Sequence, residues 1–401
     1  MNISDTKTLH PCTSCQLCAG VCPNNAISIG LDEEGFYRPT VDPDKCIDCG
    51  LCQKVCYKFH NEAPDIATVD CSKHYAAYAN DAAITAQSTS GGVASVLTRQ
   101  LISQGYTCVG VAYDYSTDRA VGAIATDDSE AEAFKGSKYI QSLSVDAFRQ
   151  LLHMNRQGRY AVFGTPCQIY AFDLLLKQQK RRDNFLLVDI YCHGCPTLNL
   201  WTKYARHIKQ HTHNSSLKQL AFRSKARGWG RYCISTNNKG KLTYLSPKTN
   251  DAFYTLFFSN HVLNDACKDC TLRSTLSHSD IRLGDFWGKC YDLNTQGVSL
   301  VSVNTERGQE LFNQIKPQLW YKEHAASDFM VYQSIGTSYI IDEQLRSKLL
   351  HMLATEDIPL KAVAKTYWHS LPPKKKARQL VKNIILHLPT GLVSLAKKIY
   401  H

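Results

Sequence analysis

Two runs of cysteines near the start of the chain share one spacing, Cys-x2-Cys-x2-Cys-x3-Cys. The eight residues are Cys12, Cys15, Cys18, Cys22, Cys46, Cys49, Cys52 and Cys56. Iron in a cubane cluster takes soft thiolate ligands, and two-residue gaps let three consecutive thiolates face one cluster. A pair of tetrahedral zinc sites is the alternative, since zinc also binds Cys-x2-Cys. The doubled spacing favours two iron–sulfur clusters.

Residues 10–60 resemble the ferredoxins that hold two 4Fe-4S clusters. In such domains the fourth cysteine of each run ligates the other cluster. One predicted set is therefore Cys12, Cys15, Cys18 and Cys56, and the other is Cys22, Cys46, Cys49 and Cys52. The first run ends at Pro23, whereas Tyr57 stands where a second proline is usual. We expect this departure to leave the cysteines intact.

Length and composition place the chain among soluble globular proteins. Its 401 residues are 44% hydrophobic and 20% charged, which argues against a disordered protein and against one with many membrane spans. We expect two or three domains of roughly 100 to 200 residues each. No signal peptide is visible at the start, so a reducing cytoplasm is expected. There, seventeen cysteines indicate metal ligation rather than disulfides.

Beyond the cysteine runs, helical and strand patterns alternate. The predicted strands are 106–113, 159–164, 186–191 and 298–303, and the predicted helices are 93–105, 164–178 and 192–208. In the last of these helices, Pro196 suits a first turn. A β-hairpin is predicted over 231–246, so a purely parallel sheet is not expected. The predicted fold class is α/β, an α+β mixed sheet behind an N-terminal ferredoxin-type domain.

Two glycine-rich turns are candidate anion sites. Residues 88–92, STSGG, lead into a predicted helix whose N-terminus would favour phosphate oxygens. Residues 135–141, KGSKYIQ, place two lysines around a glycine. The plainer interpretations are Ser90 as a helix N-cap and the second segment as an exposed turn. The common dinucleotide and Walker fingerprints are not present.

Four cysteines of the second half stand in loops or at strand ends. They are Cys167, Cys192, Cys267 and Cys270. Thiolates from three separate loops could meet as a third cluster site. A zinc site, or scattered buried thiols, are the alternatives.

Seven motifs occur in the order found in the beta subunits of coenzyme F-420 hydrogenases and dehydrogenases. They are STSGGVAS, KGSKYIQS, GTPCQ, DIYCHG, FRSKARGWG, CKDC and SDIRLGDFWG. The resemblance covers roughly residues 70–305, and it extends to bacterial members that carry an N-terminal ferredoxin module. It implies a flavoprotein without a Rossmann fold, which binds FAD beside an iron–sulfur cluster.

Carried onto this sequence, the resemblance assigns two groups of residues. The expected flavin contacts are Ser88, Ser90, Gly91, Gly92, Lys135, Gly136, Ser137, Lys138, Tyr139, Gly164, Thr165 and Pro166. The expected ligands of a third 4Fe-4S cluster are Cys167, Cys192, Cys267 and Cys270. Cys195 departs from the pattern, as a spare thiol or an alternative ligand. The remaining cysteines are predicted to be structural, and they are Cys71, Cys108, Cys233 and Cys290.

The expected function is that of an FAD- and iron–sulfur-dependent oxidoreductase. Clusters carry single electrons, and a flavin converts that traffic into two-electron or hydride chemistry on a substrate. The expected partners are a redox protein or reduced cofactor as electron donor and a small-molecule or glycan-related substrate, with a link to surface polysaccharide biosynthesis. Asp285 and His193 lie in shared motifs, but structural roles are favoured and no catalytic acid is assigned. The alternative is an electron-transfer subunit without its own substrate site.

Charge is uneven along the chain. Residues 372–401 carry seven basic residues and no acid, whereas residues 1–62 carry five basic and eight acidic residues. The apolar Leu380, Val381, Ile384, Ile385 and Leu388 would share one helical face. The segment is too short to span a membrane, and Pro389 follows it. It would lie on an anionic membrane surface or pack on protein, and nucleic-acid binding is not expected.

These observations predict five segments. They are a ferredoxin domain at 1–62, a linker at 63–74, the first part of the flavin-binding region at 75–150, a C-terminal beta-subunit-like domain at 151–330 and a helical basic tail at 331–401. The expected location is cytoplasmic, with the tail as a candidate for contact at the inner face of the membrane.

Overall fold

The computed structural model describes residues 1–61, 63 and 65–387. The strands are β1 (Ile27–Leu31), β2 (Tyr37–Val41), β3 (Lys73–Ala79), β4 (Thr107–Asp114), β5 (Arg119–Ala125), β6 (Ser142–Leu143), β7 (Tyr160–Phe163), β8 (Phe185–Ile190), β9 (Ser235–Asn238), β10 (Lys241–Leu245), β11 (Ile281–Asp285), β12 (Ser299–Val303) and β13 (Leu319–His324). The α-helices are α1 (Leu17–Gly20), α2 (Leu51–Lys54), α3 (Ala67–Cys71), α4 (Ala82–Gln87), α5 (Val93–Ser103), α6 (Asp128–Ala131), α7 (Val145–His153), α8 (Pro166–Gln178), α9 (Leu198–Thr212), α10 (Ala252–Phe257), α11 (Glu306–Ile315), α12 (Glu343–Ala354), α13 (Leu360–Ser370) and α14 (Pro373–His387).

The two cysteine runs fold into matching pieces of structure. Each run ends in a short helix, α1 or α2, that begins after a residue with positive φ, 69° at Gln16 and 74° at Gly50. Glycine adopts this conformation without strain. Gln16 is held there by the core, since its amide donates to Ser142 O and accepts from Ser144 N, both at 2.7 Å. The same side chain therefore shapes the first run and docks it on the rest of the chain.

A nine-stranded sheet forms the centre of the molecule. Its strand order is β13-β3-β12-β11-β8-β7-β4-β5-β6. Four neighbouring strands, β11, β8, β7 and β4, run parallel, while β12, β3 and β13 are antiparallel to their neighbours. At the other edge, β5 is antiparallel to β4 and parallel to β6. The carboxyl ends of the parallel strands open at one edge, where ligands bind in open α/β sheets. The mixed α/β fold behind a ferredoxin-type domain is confirmed.

The amino-acid sequence of β8 explains why this strand lies in the middle of the sheet. Residues 185–189, FLLVD, are all buried and lack the polar alternation of a half-exposed strand. On the next strand, β7 leads directly into α8, which begins with Pro166 after a capping box between Thr165 and Gln168. The capping box satisfies free backbone groups of the first turn. It fixes where this helix starts.

Two local predictions are wrong. Ser90 is not a helix N-cap, because Gly92 holds that position with φ 84° and the Ser90 hydroxyl donates to Val298 O at 2.9 Å. Pro196 does not lie in a first helical turn, since Thr197 caps α9 and Pro196 forms an isolated bridge with Leu263. In both cases a partner distant in sequence decides the local conformation. The hairpin of β9 and β10 agrees with its prediction and starts four residues later.

The C-terminal helices pack against α9. Lys203 of α9 donates to Thr355 O and Ile358 O, both at 2.7 Å, and so closes the end of α12. Beyond them, α14 leaves three apolar side chains exposed, Leu380 at 53%, Val381 at 48% and Ile384 at 66%. The predicted Leu388, Pro389, Lys397 and Lys398, and the Lys382 side chain, lie outside the described residues. Among the helices that are described, none is long and apolar enough to cross a membrane.

The proposed segment boundaries stay predictions. The sheet takes strands from both sides of residue 150, since β4 of one predicted segment pairs with β7 of the next. Within the predicted linker, residues 67–71 form α3. Any functional division at residue 150 therefore lies within one sheet.

Candidate iron–sulfur site

The structure brings together the four thiols of the first predicted set. Burial raises the pKa of Cys18 well above its ordinary value, and the nearby thiolates of Cys15, Cys56 and Cys12 raise it further. Burial and then Cys15 likewise raise the pKa of Cys56. Thiolates that oppose one another's ionisation in this way need a positive partner between them. Bound iron provides that charge, so this set fits a cluster.

The second predicted set lines one pocket. Cys22, Cys46, Cys49 and Cys52 all lie in the wall of this small pocket. Two donors point at its sulfurs, since Ala26 N lies 3.2 Å from Cys22 Sγ and the Asn2 amide lies 3.6 Å from Cys46 Sγ. Hydrogen bonds to cluster sulfurs are among the factors that set a cluster's potential. Cys49 is exposed, so this pocket reaches the protein surface.

Three loops at the sheet edge bring the later cysteines together. Cys167 lies in the first turn of α8, Cys192 follows β8, and Cys267 and Cys270 lie in the turns after α10. Burial and then Cys270 raise the pKa of Cys192 to about 11, and burial and then Cys192 raise that of Cys267 to about 12. Burial raises the pKa of Cys167 as well, and its next largest cause is Cys15 of the first set. The third set therefore adjoins the first.

A buried ion pair supports the loops of the third set. Arg282 on β11 lies 2.8 Å from Asp189 on β8, and both side chains are at most 3% exposed. Burial alone would lower the pKa of Arg282, but the Asp189 carboxylate raises it. The guanidinium also donates to Leu272 O and Arg273 O, which follow Cys270. The pair thus fixes the Cys270 loop against the two central strands.

Cys195 lies at this site too. Its backbone N–H donates to Cys267 Sγ at 3.4 Å, and burial followed by the thiolates of Cys267 and Cys192 raises the pKa of its own thiol. The other cysteines outside the sets are divided. Cys108 and Cys233 are fully buried, whereas Cys71 and Cys290 are exposed.

Across the residues that the structure describes, no group of three or more His, Cys, Asp or Glu side chains is spaced to hold a single metal ion. A cubane binds each thiolate through a different iron atom, so its ligands stand farther apart than those around one ion. The convergence of the three cysteine sets is compatible with that wider arrangement.

The two glycine-rich turns lie side by side. Ser137 N donates to Thr89 Oγ1 at 2.9 Å, and Lys135 Nζ lies 3.0 Å from Gln87 Oε1. Gly91 is required by close packing, because an added Cβ would stand 2.3 Å from Ala77 O. In the other turn, Gly136 has φ 79°, and a Cβ added there would face open space. The turns therefore form one continuous surface beside the start of α5.

Most polar side chains of these turns bind protein groups. The Ser88 hydroxyl donates to Ile84 O at 2.7 Å, and Lys138 Nζ donates to Phe134 O and Lys135 O, both at 3.1 Å. At the end of β7, Gly164 N donates to Val188 O. These side chains shape the turns, which leaves backbone groups to meet any ligand.

Two basic residues that the sequence patterns did not indicate support this surface. Lys225 Nζ donates to Thr85 O and Ser90 O, both at 2.6 Å. Arg223 donates to Tyr139 Oη at 3.1 Å and pairs with Asp285 at 3.0 Å. Both residues lie in the FRSKARGWG motif, whose charge pattern does not indicate which residues they contact.

The two candidate proton donors have structural partners. Asp285 accepts from Arg223 and, at 2.7 Å, from the Trp229 indole. His193 lies 2.7 Å from Asn260 Oδ1, and burial lowers its pKa to about 4. Neither residue is assigned as a catalytic acid.

Two family models match parts of the chain. Residues 11–58 match the model of the 4Fe-4S dicluster domain. Residues 157–328 match the model of the C-terminal region of the beta subunit of coenzyme F420 hydrogenase/dehydrogenase. A curated relative, Ferredoxin 7Fe of Hydrogenibacillus schlegelii, is 46% identical over 49 residues, which are 12% of this chain and 56% of that ferredoxin.

A solved structure, of the F420-reducing NiFe hydrogenase complex from Methanosarcina barkeri, matches with a TM-score of 0.46 and 16% identity. The match covers 74% of this chain and 90% of that one. At this level it does not establish a common fold. The two domain matches carry the identification: the chain is an iron–sulfur protein with a 4Fe-4S dicluster domain at residues 11–58, and its residues 157–328 are related to the C-terminal region of the beta subunit of coenzyme F420 hydrogenase/dehydrogenase.

Proposed function

We propose that the chain relays electrons between three 4Fe-4S clusters and FAD, where a substrate is reduced or oxidised. The two ferredoxin sets would hold two clusters, and the set that contains Cys167 and Cys192 would hold the third. The supporting observation is that, among neighbouring thiolates, Cys15 of the first set contributes most to the raised pKa of Cys167. Electrons entering the ferredoxin domain would thus have an adjoining acceptor in the core.

The proposed flavin site is the surface made by residues 88–92 and 135–139, with residues 164–166 at the end of β7. It is supported by Gly91 and Gly92, whose backbone packs closely on Ala77 and Ile84 at the entry to α5, and by Gly136, where no atom lies within 4 Å of an added Cβ. Backbone N–H groups at a helix start favour phosphate oxygens, and Lys135 lies beside them. Bound FAD would supply the conversion between one-electron and two-electron transfer.

The proposed electron donor is a redox protein or a reduced cofactor. The proposed substrate is a small molecule, with a glycan precursor of surface polysaccharide as the class suggested by the bacterial resemblance.

A second candidate function is electron transfer within a larger redox complex. It is favoured by the family match, because that family is described as a beta subunit. Turnover by the purified chain separates the two: an electron-transfer subunit would reduce artificial acceptors but convert no substrate alone.

The first test is anaerobic purification of the full chain, with iron, zinc and released flavin measured on one sample. We expect about twelve irons, the content of three cubanes, together with about one FAD per chain. A matched Cys290→Ala variant should give the same iron content, since its thiol is exposed and outside the three sets. About eight irons with FAD would eliminate the third cluster. Zinc without flavin would contradict the whole proposal.

We also propose that α14 rests on an anionic membrane surface. Its exposed Leu380, Val381 and Ile384 accompany Lys374, Lys375, Lys376 and Arg378 on one helix, the combination that interfacial helices use. The full chain should sediment with vesicles that contain anionic lipid and not with neutral ones. Equal sedimentation of an Ile384→Glu variant would contradict this.

A further inference from the structure

Tyr57 connects the ends of two predicted ligand sets. It follows Cys56 directly in the sequence, and its hydroxyl lies 2.8 Å from the hydroxyl of Thr271, which follows Cys270 directly. Cys56 belongs to the first ferredoxin set and Cys270 to the third set. A single hydrogen bond therefore links the two sets across 214 residues of sequence.

The ring of Tyr57 lies between the same two sets. The residue is 3% exposed and packs in an apolar cluster with Tyr170 and Leu272, against which Cys167 and Cys270 are also packed. Tyr170 is one helical turn after Cys167 on α8, and its ring meets Tyr57 edge-on at 5.8 Å. Tyr57 thus contacts both elements that carry the third set.

The ferredoxin side holds the ring as well. His10 stacks on it with centroids 4.2 Å apart. Leu9 N and His10 N both donate to Lys58 O, the carbonyl that follows Tyr57. The start of the chain and the end of the second run therefore fix the ring from one side, while α8 and the Thr271 turn fix it from the other.

We propose that Tyr57 is the positioning residue for electron transfer between the first ferredoxin cluster and the third cluster. This inference rests on the proposed third cluster. A proline at this position, usual after such a run, would carry neither the ring nor the hydroxyl. The residue that departs from the ferredoxin pattern is thus the one that joins the ferredoxin domain to the core.

The transfer itself involves one electron and no bond change. A low-potential one-electron carrier would supply the electron to the first cluster, and the third cluster would accept it from the first. Tyr57 is neither oxidised nor reduced. It excludes water between the ligand sets and keeps them in register, and its hydroxyl bond to Thr271 adds to the outer-shell contacts that tune a metal site.

The test follows cluster reduction in the anaerobic full chain by rapid-freeze EPR after mixing with dithionite. Spectra of Cys192→Ala supply the reference without the third cluster. Tyr57→Phe removes only the hydroxyl, and Thr271→Val removes its partner from the other domain. The matched control is Tyr160→Phe, because Tyr160 is equally buried at 3% and its hydroxyl binds Asn155 O at 2.6 Å, away from both sets.

We expect Tyr57→Phe to slow reduction of the third cluster about tenfold, the low end for loss of an outer-shell contact, and Tyr57→Leu to slow it further. Iron content and the control should stay unchanged. The effects of Tyr57→Phe and Thr271→Val should not add in the double variant, because both remove the same bond.

Unchanged rates in both single variants at full iron loading would overturn the inference and leave the proposed function intact. Iron loss in both variants would also overturn it, because the pair would then be holding clusters rather than positioning them. A wild-type chain with about eight irons would remove the third cluster, and the proposed function and this inference would fail together.

Discussion

The ferredoxin domain and the third cysteine set hold the same kind of ligand by opposite means. In the ferredoxin domain, three ligands of each set lie within seven residues of sequence, and a turn with positive φ starts each short helix. The third set draws its thiols from the start of α8, the loop after β8 and the turns after α10, which meet only when the sheet has formed.

This difference shows that the ferredoxin domain depends on its clusters for stability, whereas the third set depends on the folded sheet. A local set needs few ordered residues, so its cluster supplies much of the domain's own stability. The apolar core around the ferredoxin helices in fact includes Cys18, Cys52 and Cys56 themselves. The third set instead depends on the sheet, whose long-range pairing must form first.

The largest expected effect comes from breaking the local set. Cys18→Ala should remove about four irons and unfold the ferredoxin domain, because Cys18 is both a predicted ligand and a core residue. Iron content and far-UV circular dichroism measure the two effects. Cys71→Ala, at an exposed cysteine, is the control. Full iron content in Cys18→Ala would show that this assignment is wrong.

The matching change in the third set should be milder for the fold. Cys192→Ala is expected to lose about four irons as well, while the sheet and the ferredoxin clusters remain. EPR should show two clusters, and tryptophan fluorescence should be native, since all five tryptophans lie beyond residue 200. Unfolding of the core would contradict the view that the sheet forms this site.

Removing the support of the third set sharpens the comparison. Asp189→Asn leaves the buried Arg282 charge without its carboxylate, which costs about 3 to 5 kcal/mol. Urea unfolding followed by tryptophan fluorescence measures this loss in the core. Glu356→Gln breaks the exposed pair with Arg206 and should leave the unfolding midpoint nearly unchanged. Equal midpoints for both variants would refute the supporting role of Asp189.

The smallest expected effect concerns the start of α8. Thr165→Ala removes the N-cap beside Cys167 and should cost about 1 kcal/mol, whereas Thr165→Ser keeps a hydroxyl and should restore most of it. The same urea experiment applies. A loss in Thr165→Ser as large as in Thr165→Ala would attribute the effect to the methyl group rather than to the cap.

Sequence predicted what depends on neighbouring residues. The cysteine spacing predicted the 4Fe-4S dicluster domain that residues 11–58 match, and the pattern at 186–191 predicted the strand β8. Prediction from the sequence failed where a partner distant in sequence sets the local conformation. At Ser90, for example, the hydroxyl donates to Val298 O, just before β12. The role of Tyr57 could not be predicted either, because its partner Thr271 lies 214 residues away and nothing near Tyr57 in the sequence indicates it.

The exposed thiol of Cys49 determines where oxidation of the chain by oxygen would start. Cys18 and Cys56 of the first set are at most 9% exposed, so an oxidant from solution reaches the second set at Cys49 before it reaches these two thiols. Oxidation of cysteine follows exposure and thiolate character. Damage in air would therefore begin at the surface pocket, and a briefly aerated chain would lose the second cluster before the first.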